Sequence, residues 1–300
     1  GLINTRVIQH NLDWIWPYWI EQQFNPHSRA FLPRAFSLTH VNLTHRNWTA
    51  VGRPDCAALP ISDERGLITP QHDGWSVDAW VWGDNGERLY PSRLPAADTQ
   101  QSLDWVDSAL TLTTDSTTES LALTAEAWLE RDARGAVLCM RYQARANQGG
   151  RLVVALRPYN PEGIRFIEAL QAGFDEAGDW GWWVEPDARG EPAARVVFDQ
   201  PPSAYYHANY ASGDVAAMLD GPSESLRVSQ RCDTGLITAA AVFDLPAGQT
   251  QTRQWRLSLP TEAVKPEAQD WADAFAGSAR LVVPDARYQS LYDTAVQTLL

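Results

Sequence analysis

Three aspartates in this sequence, Asp73, Asp78 and Asp104, stand beside the tryptophans Trp75, Trp80 and Trp105. A carboxylate next to an indole suits a sugar: it accepts hydrogen bonds from hydroxyl groups while the ring packs against the apolar C–H face. The same spacing also fits strands whose tryptophans alternate into a core and whose aspartates remain solvated. A second aromatic cluster combines Trp14, Trp16 and Trp19 with Arg46 and Trp48. The run from Asn11 to Ile20 holds more apolar residues than one amphipathic face can carry, so it needs a surface to pack against. Asp73, Trp75 and Asp78 are thus candidate carbohydrate contacts, and Trp14, Trp16, Trp19, Arg46 and Trp48 are candidates for a contact surface.

Other chemistries leave no pattern. There is no phosphate loop, dinucleotide fingerprint, nucleophile elbow or HExxH sequence. His40 and His45 are too far apart to share a helix face, and on a strand they would point to opposite sides, so no metal site is expected. Cys56, Cys139 and Cys232 show neither CxxC spacing nor alternation with histidine, so they are expected to be idle thiols in a reducing compartment. Carboxylates are plentiful, but an acid and base pair is defined by separation and pKa difference, which distance along the chain does not set. No catalytic residue, metal or cofactor is assigned.

Aspartate and glutamate outnumber lysine and arginine by 37 to 24, a net charge of -13, and Lys265 is the single lysine. Such a chain has no general attraction to phosphate backbones or anionic membranes, which argues against nucleic acid and membrane partners. No apolar run approaches the length of a membrane span, and the first residues lack the pattern of a secretory signal, so a soluble, cytoplasmic chain is expected.

The elements that must position these residues are mostly strands. From Gly66 onward, short alternating runs are separated by turn sequences. Val77–Trp82 precedes Asp84-Asn85-Gly86, and Asn-Gly between apolar runs marks a hairpin because the turn needs positive φ. Asp132 to Gly135 reverses the chain between Leu121–Leu129 and Ala136–Ala144, and Asn147 to Gly150 leads into Leu152–Leu156, which reads as consecutive hairpins. Gly181–Glu185 and Ala194–Phe198 flank another turn, and Leu226–Arg231, Gly235–Asp244 and Thr252–Leu259 read as a closing meander. Many strands without alternating long helices predict a large antiparallel sandwich.

After Pro260 the pattern becomes helical. Pro266 suits a first helical position, Trp271 and Phe275 lie one turn apart, and Asp285 is a plausible N-cap for a second helix. In that helix Tyr288, Leu291, Tyr292, Ala295 and Leu299 form one apolar stripe that runs on to the last residue, which reads as truncation within a further domain.

Four stretches carry a family resemblance: Asn11 to Gly52, Gly66-Leu67-Ile68-Thr69-Pro70 with Asp73-Gly74-Trp75-Ser76-Val77-Asp78, Val154 to Gly163 with Arg157-Pro158-Tyr159-Asn160-Pro161 at its centre, and the terminal helix. Together they resemble bacterial glycogen-debranching and glucoamylase-like glycosidases. The resemblance implies a mainly β fold, a galactose-mutarotase-like β-supersandwich followed by a six-hairpin α/α toroid. It implies an aromatic segment at 1–60, the sandwich at 61–262, a linker helix at 263–284 and the first toroid helix at 285–300. Catalytic carboxylates in that family lie on the toroid, so no residue here inherits a catalytic role.

The expected function is thus a non-catalytic accessory domain of a glycoside hydrolase acting on α-glucan-like substrates. Its partners would be the toroid of the same polypeptide and an oligosaccharide. A stand-alone carbohydrate-binding module, or an aromatic partner-binding or membrane-interface protein, are the alternatives.

Overall fold

A computed structural model describes residues 48–71, 74–106, 109–133, 135–161, 163–185, 194–260 and 271–299. Trp14, Trp16, Trp19, Arg46, Asp73, His40 and His45 lie outside the described residues. In chain order the first strands are β1 (Trp48–Ala50), β2 (Ile61–Asp63), β3 (Ile68–Thr69), β4 (Ser76–Gly83), β5 (Arg88–Leu89), β6 (Thr99–Val106), β7 (Ala109–Thr117), β8 (Leu121–Asp132), β9 (Gly135–Ala146) and β10 (Gly150–Arg157). A small ribbon, β11 (Tyr159–Asn160) with β12 (Gly163–Ile164), precedes β13 (Ala169–Phe174), β14 (Trp180–Val184), β15 (Ala194–Phe198) and β16 (Ala204–Ala208). The last elements are β17 (Val228–Arg231), β18 (Thr238–Leu245), β19 (Thr250–Ser258) and the helices α1 (Trp271–Ala276) and α2 (Ala286–Leu299).

Two antiparallel sheets hold nearly all of these strands. One has eight strands in the order β1-β2-β3-β4-β10-β18-β16, with β5 beside β4; the other has nine, β17-β13-β14-β15-β19-β9-β8-β7-β6. The predicted mainly β sandwich is what the chain forms, and the alternation of its strands says why. Val77, Ala79 and Val81 of β4 and Leu152, Val154 and Leu156 of β10 meet Leu121, Leu123, Leu138, Met140, Trp182 and Trp255 of the larger sheet in one continuous core. The Asn85-Gly86 turn joins β4 to β5 with Gly86 at φ +88. The Asp132 turn joins β8 to β9, with its carboxylate accepting the Gly135 N–H at 3.0 Å.

The eight-stranded sheet is covered on its other face as well. Trp80 and Trp82 of β4, Val153 and Ala155 of β10 and Ala240 and Val242 of β18 pack under Val215 and Leu219 in a second, smaller core. The uninterrupted apolar run Leu152–Leu156 in β10 has this cause: a strand buried on both faces has no reason to alternate.

The larger topology departs from the turn-by-turn reading. The Asn147–Gly150 turn does not close a hairpin; β9 lies in the nine-stranded sheet, and β10 crosses to the other and pairs with β4 and β18. The expected closing meander is likewise divided. β17 pairs with β13, β18 with β10 and β16, and β19 with β15 and β9. A turn sequence specifies that the backbone reverses, and burial of the following strand decides which sheet receives it.

The C-terminal helices lie against the β6 edge. Trp105 meets Trp271 and Phe275 edge-to-face, with ring centroids 6.0 and 6.5 Å apart. Asp285 caps α2, its carboxylate accepting the Arg287 N–H at 2.9 Å.

Candidate functional site

A fully buried ion pair lies at the end of β10. Arg157 ends β10 fully enclosed and forks onto Asp214, with Nη1 to Oδ1 at 2.8 Å and Nη2 to Oδ2 at 2.5 Å. Its Nε donates to the Tyr159 hydroxyl at 3.1 Å, and the guanidinium carbon lies 5.3 Å from the Trp80 ring centroid. Asp214 also accepts the Ala216 N–H at 3.0 Å, so the ion pair fastens the short 3-10 turn Val215–Met218 over the second core. Burial works against the Arg157 charge, but Asp214 and Tyr159 more than offset it and hold the guanidinium protonated. The Asn160 amide donates to the Gly74 carbonyl at 2.9 Å. Two stretches that carry the family resemblance, Gly74 to Asp78 and Arg157 to Asn160, therefore meet as one structural joint.

Asp78 belongs to this joint. Its carboxylate accepts from the Ala79 N–H at 2.9 Å, the Trp80 indole at 2.8 Å and the Ser92 hydroxyl at 2.6 Å. Burial raises its pKa, and the Ser92 and Trp80 hydrogen bonds oppose the rise. Only 1% exposed, Asp78 is enclosed. Trp75 is 7% exposed and faces the main core, so neither residue is a surface contact for sugar. The reason is the covered outer face of the eight-stranded sheet, which turns an alternating Asp-Trp pattern inward on both sides.

A second buried carboxylate, Asp63, closes the turn from β2 to β3. Its Oδ1 accepts the Arg65 and Leu67 N–H groups, both at 2.9 Å, while Oδ2 has no hydrogen-bond partner. Burial pushes its pKa up to about 6 against these hydrogen bonds and the nearby Arg65. Enclosed in this turn, it bears through its raised pKa on stability.

Asp104 and Trp105 are exposed on β6, at the edge of the other sheet, so Asp78 and Asp104 do not form a catalytic pair. Trp48 is 43% exposed on β1, an edge strand of the smaller sheet. Among the described residues no group of three histidine, cysteine or acidic side chains is placed to hold a metal, and no helix is long and apolar enough to cross a membrane.

Open surface chemistry lies elsewhere. Trp105, Phe275, Tyr292 and Val296 line a groove of about 720 Å³ between β6 and the helices. Beside it Leu281 is 50% exposed, Val282 88%, Tyr288 63% and Leu291 59%. The helix thus turns Tyr292 and Val296 toward the sandwich and leaves Tyr288 and Leu291 in solvent, so the predicted stripe is split between two faces. A second groove, of about 660 Å³, opens on the outer face of the nine-stranded sheet around Gln171, Phe174, Trp183, Glu185 and Arg227. These residues were not among the sequence candidates. The available signal was the cluster Trp180-Gly181-Trp182-Trp183, whose alternation leaves one indole outward beside a glycine.

Comparison with known proteins gives a likeness of fold. Searches of protein-family models and of curated protein sequences return no match. Among solved structures, the chain is similar to a bacterial glucoamylase complexed with acarbose, at 14% identity and a TM-score of 0.49, over 71% of this chain and 32% of that one. It is similar to a putative kojibiose phosphorylase from human microbiome, at 8% identity and a TM-score of 0.35, over 71% and 25%. It is also similar to a 4-alpha-glucanotransferase from Thermococcus litoralis, at 8% identity and a TM-score of 0.38, over 71% and 37%. The aligned part of this chain corresponds to between a quarter and somewhat over a third of those proteins.

Proposed function

We propose that this chain is a non-catalytic accessory domain of a carbohydrate-active enzyme, and that the face built by Trp105, α1 and α2 receives a helical catalytic domain of the same polypeptide. The observation that carries this reading is the exposed apolar strip of Leu281, Val282, Tyr288 and Leu291 beside the half-exposed Trp105. Tyr288 and Leu291 are separated by nearly one turn of α2 and continue to Ala295, a ridge suited to packing against a second helix. A helical occupant also agrees with the resemblance to sandwich-plus-toroid glycosidases, carried here by the Gly74–Asp78 and Arg157–Asn160 joint. Among the described residues the groove holds one carboxylate, Asp293, whereas glycosidic hydrolysis uses two. The aromatic segment around Trp14, Trp16 and Trp19 is proposed as a second part of the same interdomain contact.

The test is reducing-sugar release from soluble starch and maltooligosaccharides, comparing the 300-residue chain with the polypeptide continued through its natural reading frame. Turnover is expected in the longer polypeptide only, and Leu291→Asp should lower it while leaving the 300-residue chain as stable as before. Turnover by the 300-residue chain itself overturns the accessory role.

A further inference from the structure

We infer that the outer face of the nine-stranded sheet binds an extended pyranose chain, with the groove at Trp183 as its main subsite and Trp128 as a second platform. The strand register lays out the surface. Gly173 of β13 is opposite Gly181 of β14, which is opposite Val197 of β15; the same row continues through Arg256 of β19 and Cys139 of β9 to Trp128 of β8. Two adjacent glycines leave a floor without side chains, and Trp183 stands at its border. Gly181 is held to glycine by packing, since a Cβ there would lie 2.2 Å from the Val196 carbonyl oxygen. Gly173 is not so constrained: a Cβ would approach nothing closer than the Arg227 Cγ at 3.6 Å. Its lack of a side chain keeps the floor open.

The indole at the border is positioned in advance. From the β15 side the Arg195 guanidinium carbon lies 4.8 Å from the Trp183 ring centroid, and Arg195 is itself ion-paired to Asp175. That pairing holds the Asp175 carboxyl below the usual carboxylate range. The groove opens toward β13, where Gln171, Glu185, Arg227 and Ser229 supply amide, carboxylate, guanidinium and hydroxyl groups. The Gln171 amide donates to Glu185 at 2.8 Å, fixing the orientation of both. An apolar ring face beside a rim of planar donors and acceptors matches a pyranose, which has C–H faces and a hydroxyl perimeter.

Trp128 repeats the device. The Arg141 guanidinium carbon lies 5.3 Å from its ring centroid, and Arg141 forks onto Glu126 at 2.5 and 2.9 Å. It lines a groove of about 500 Å³. Four strand intervals separate β14 from β8, which places the two indoles about 19 Å apart across the sheet. One oligosaccharide can span both; a disaccharide cannot. The net charge of -13 disfavours a phosphate-bearing chain on the same face.

The experiment is isothermal titration calorimetry of the 300-residue chain with maltohexaose, cellohexaose, xylohexaose and chitohexaose. Saturable binding of at least one hexaose is expected, weakened about tenfold by Trp183→Ala. Gly173→Val, which fills the floor, should weaken it similarly, while Trp183→Phe retains a platform and most of the affinity. Trp128→Ala should weaken the hexaose but not the matching disaccharide, and Leu59→Ala, exposed between β1 and β2 of the other sheet, should change neither. Matching circular dichroism and melting midpoints establish that each variant is folded. Absence of saturable binding to all four hexaoses overturns the inference, as does binding that survives both Trp183→Ala and Gly173→Val. Sugar binding without a docked helical domain, or docking without sugar binding, separates this inference from the accessory role.

Discussion

Replacing Asp63 with asparagine is expected to remove a pH dependence of folding stability between about pH 4 and pH 6. Asp63 is 3% exposed, and burial raises its pKa from the ordinary 3.8 to about 6. Below pH 3.8 the carboxyl is protonated in both the folded and unfolded chain, so its contribution to stability is fully present. As pH rises, the unfolded chain releases its proton first, which favours unfolding; once pH passes 6, both states are ionised and the loss is complete. At 1.36 kcal/mol per pH unit, the interval corresponds to roughly 3 kcal/mol. The asparagine Oδ1 can still accept the Arg65 and Leu67 N–H groups. Its amide nitrogen would take the place of the unpartnered Oδ2, at a cost of about 1–3 kcal/mol that does not vary with pH. The assay is urea unfolding followed by tryptophan fluorescence at several pH values, subtracting variant from parent so that titrating groups remote from Asp63 cancel. The parent should lose stability relative to the variant as pH rises from 4 to 7. A difference that stays constant across this range would falsify the account of Asp63 as a desolvated carboxyl.

Arg157→Met takes the bidentate countercharge away from the buried Asp214 and should cost about 3–5 kcal/mol in urea unfolding; adding Asp214→Leu should recover part of it, the remainder reflecting the lost cap on Val215–Met218. If the double variant is no more stable than Arg157→Met, the penalty lies outside the stranded charge. The thiols should differ in reactivity. Burial raises the Cys232 thiol, but the Thr234 hydroxyl at 3.0 Å and neighbouring backbone N–H groups outweigh it and bring it below its ordinary value. Cys139 is pushed up to about 12 by burial and by Glu130. Mass spectrometry of the native chain after brief treatment with a thiol reagent should find Cys232 modified first, and earlier modification of Cys139 contradicts this order.

Local structure was legible where one residue type has one physical use. Asn85-Gly86 and Asp132 to Gly135 announced reversals because positive φ and a carboxylate cap are chemically specific, and Asp285 announced a helix start for the same reason. Sheet membership was not legible. β9 and β10 are both strongly apolar and are joined by a good turn, yet they lie in different sheets, because covering the eight-stranded sheet on both faces is a property of the assembled fold. The same fact hid the fate of Trp75 and Asp78. Asp78 is enclosed beneath the Ser92 turn on the outer face, and Trp75 faces the core between the sheets. The Trp183 groove could have been anticipated from Gly181 and Trp183 alternating on β14, but its floor also needs Gly173, which only the register supplies.

The two sheets divide labour by how their outer faces are finished. On the smaller sheet the outward row of β4 and β10 is closed over by the Pro91–Arg93 and Val215–Met218 turns, and charge there is consumed internally: Arg157 by Asp214, Asp78 by Ser92 and Trp80. A ligand reaching these groups would have to displace a packed layer with its buried ion pair. Arginines stack on indoles on both sheets, but on the larger sheet no such layer among the described residues covers Trp128 and Trp183, which remain partly exposed while Arg141 and Arg195 set their positions. The proposed sugar platform and the proposed interdomain face therefore both lie on the nine-stranded sheet, one on its outer row and one at its β6 edge.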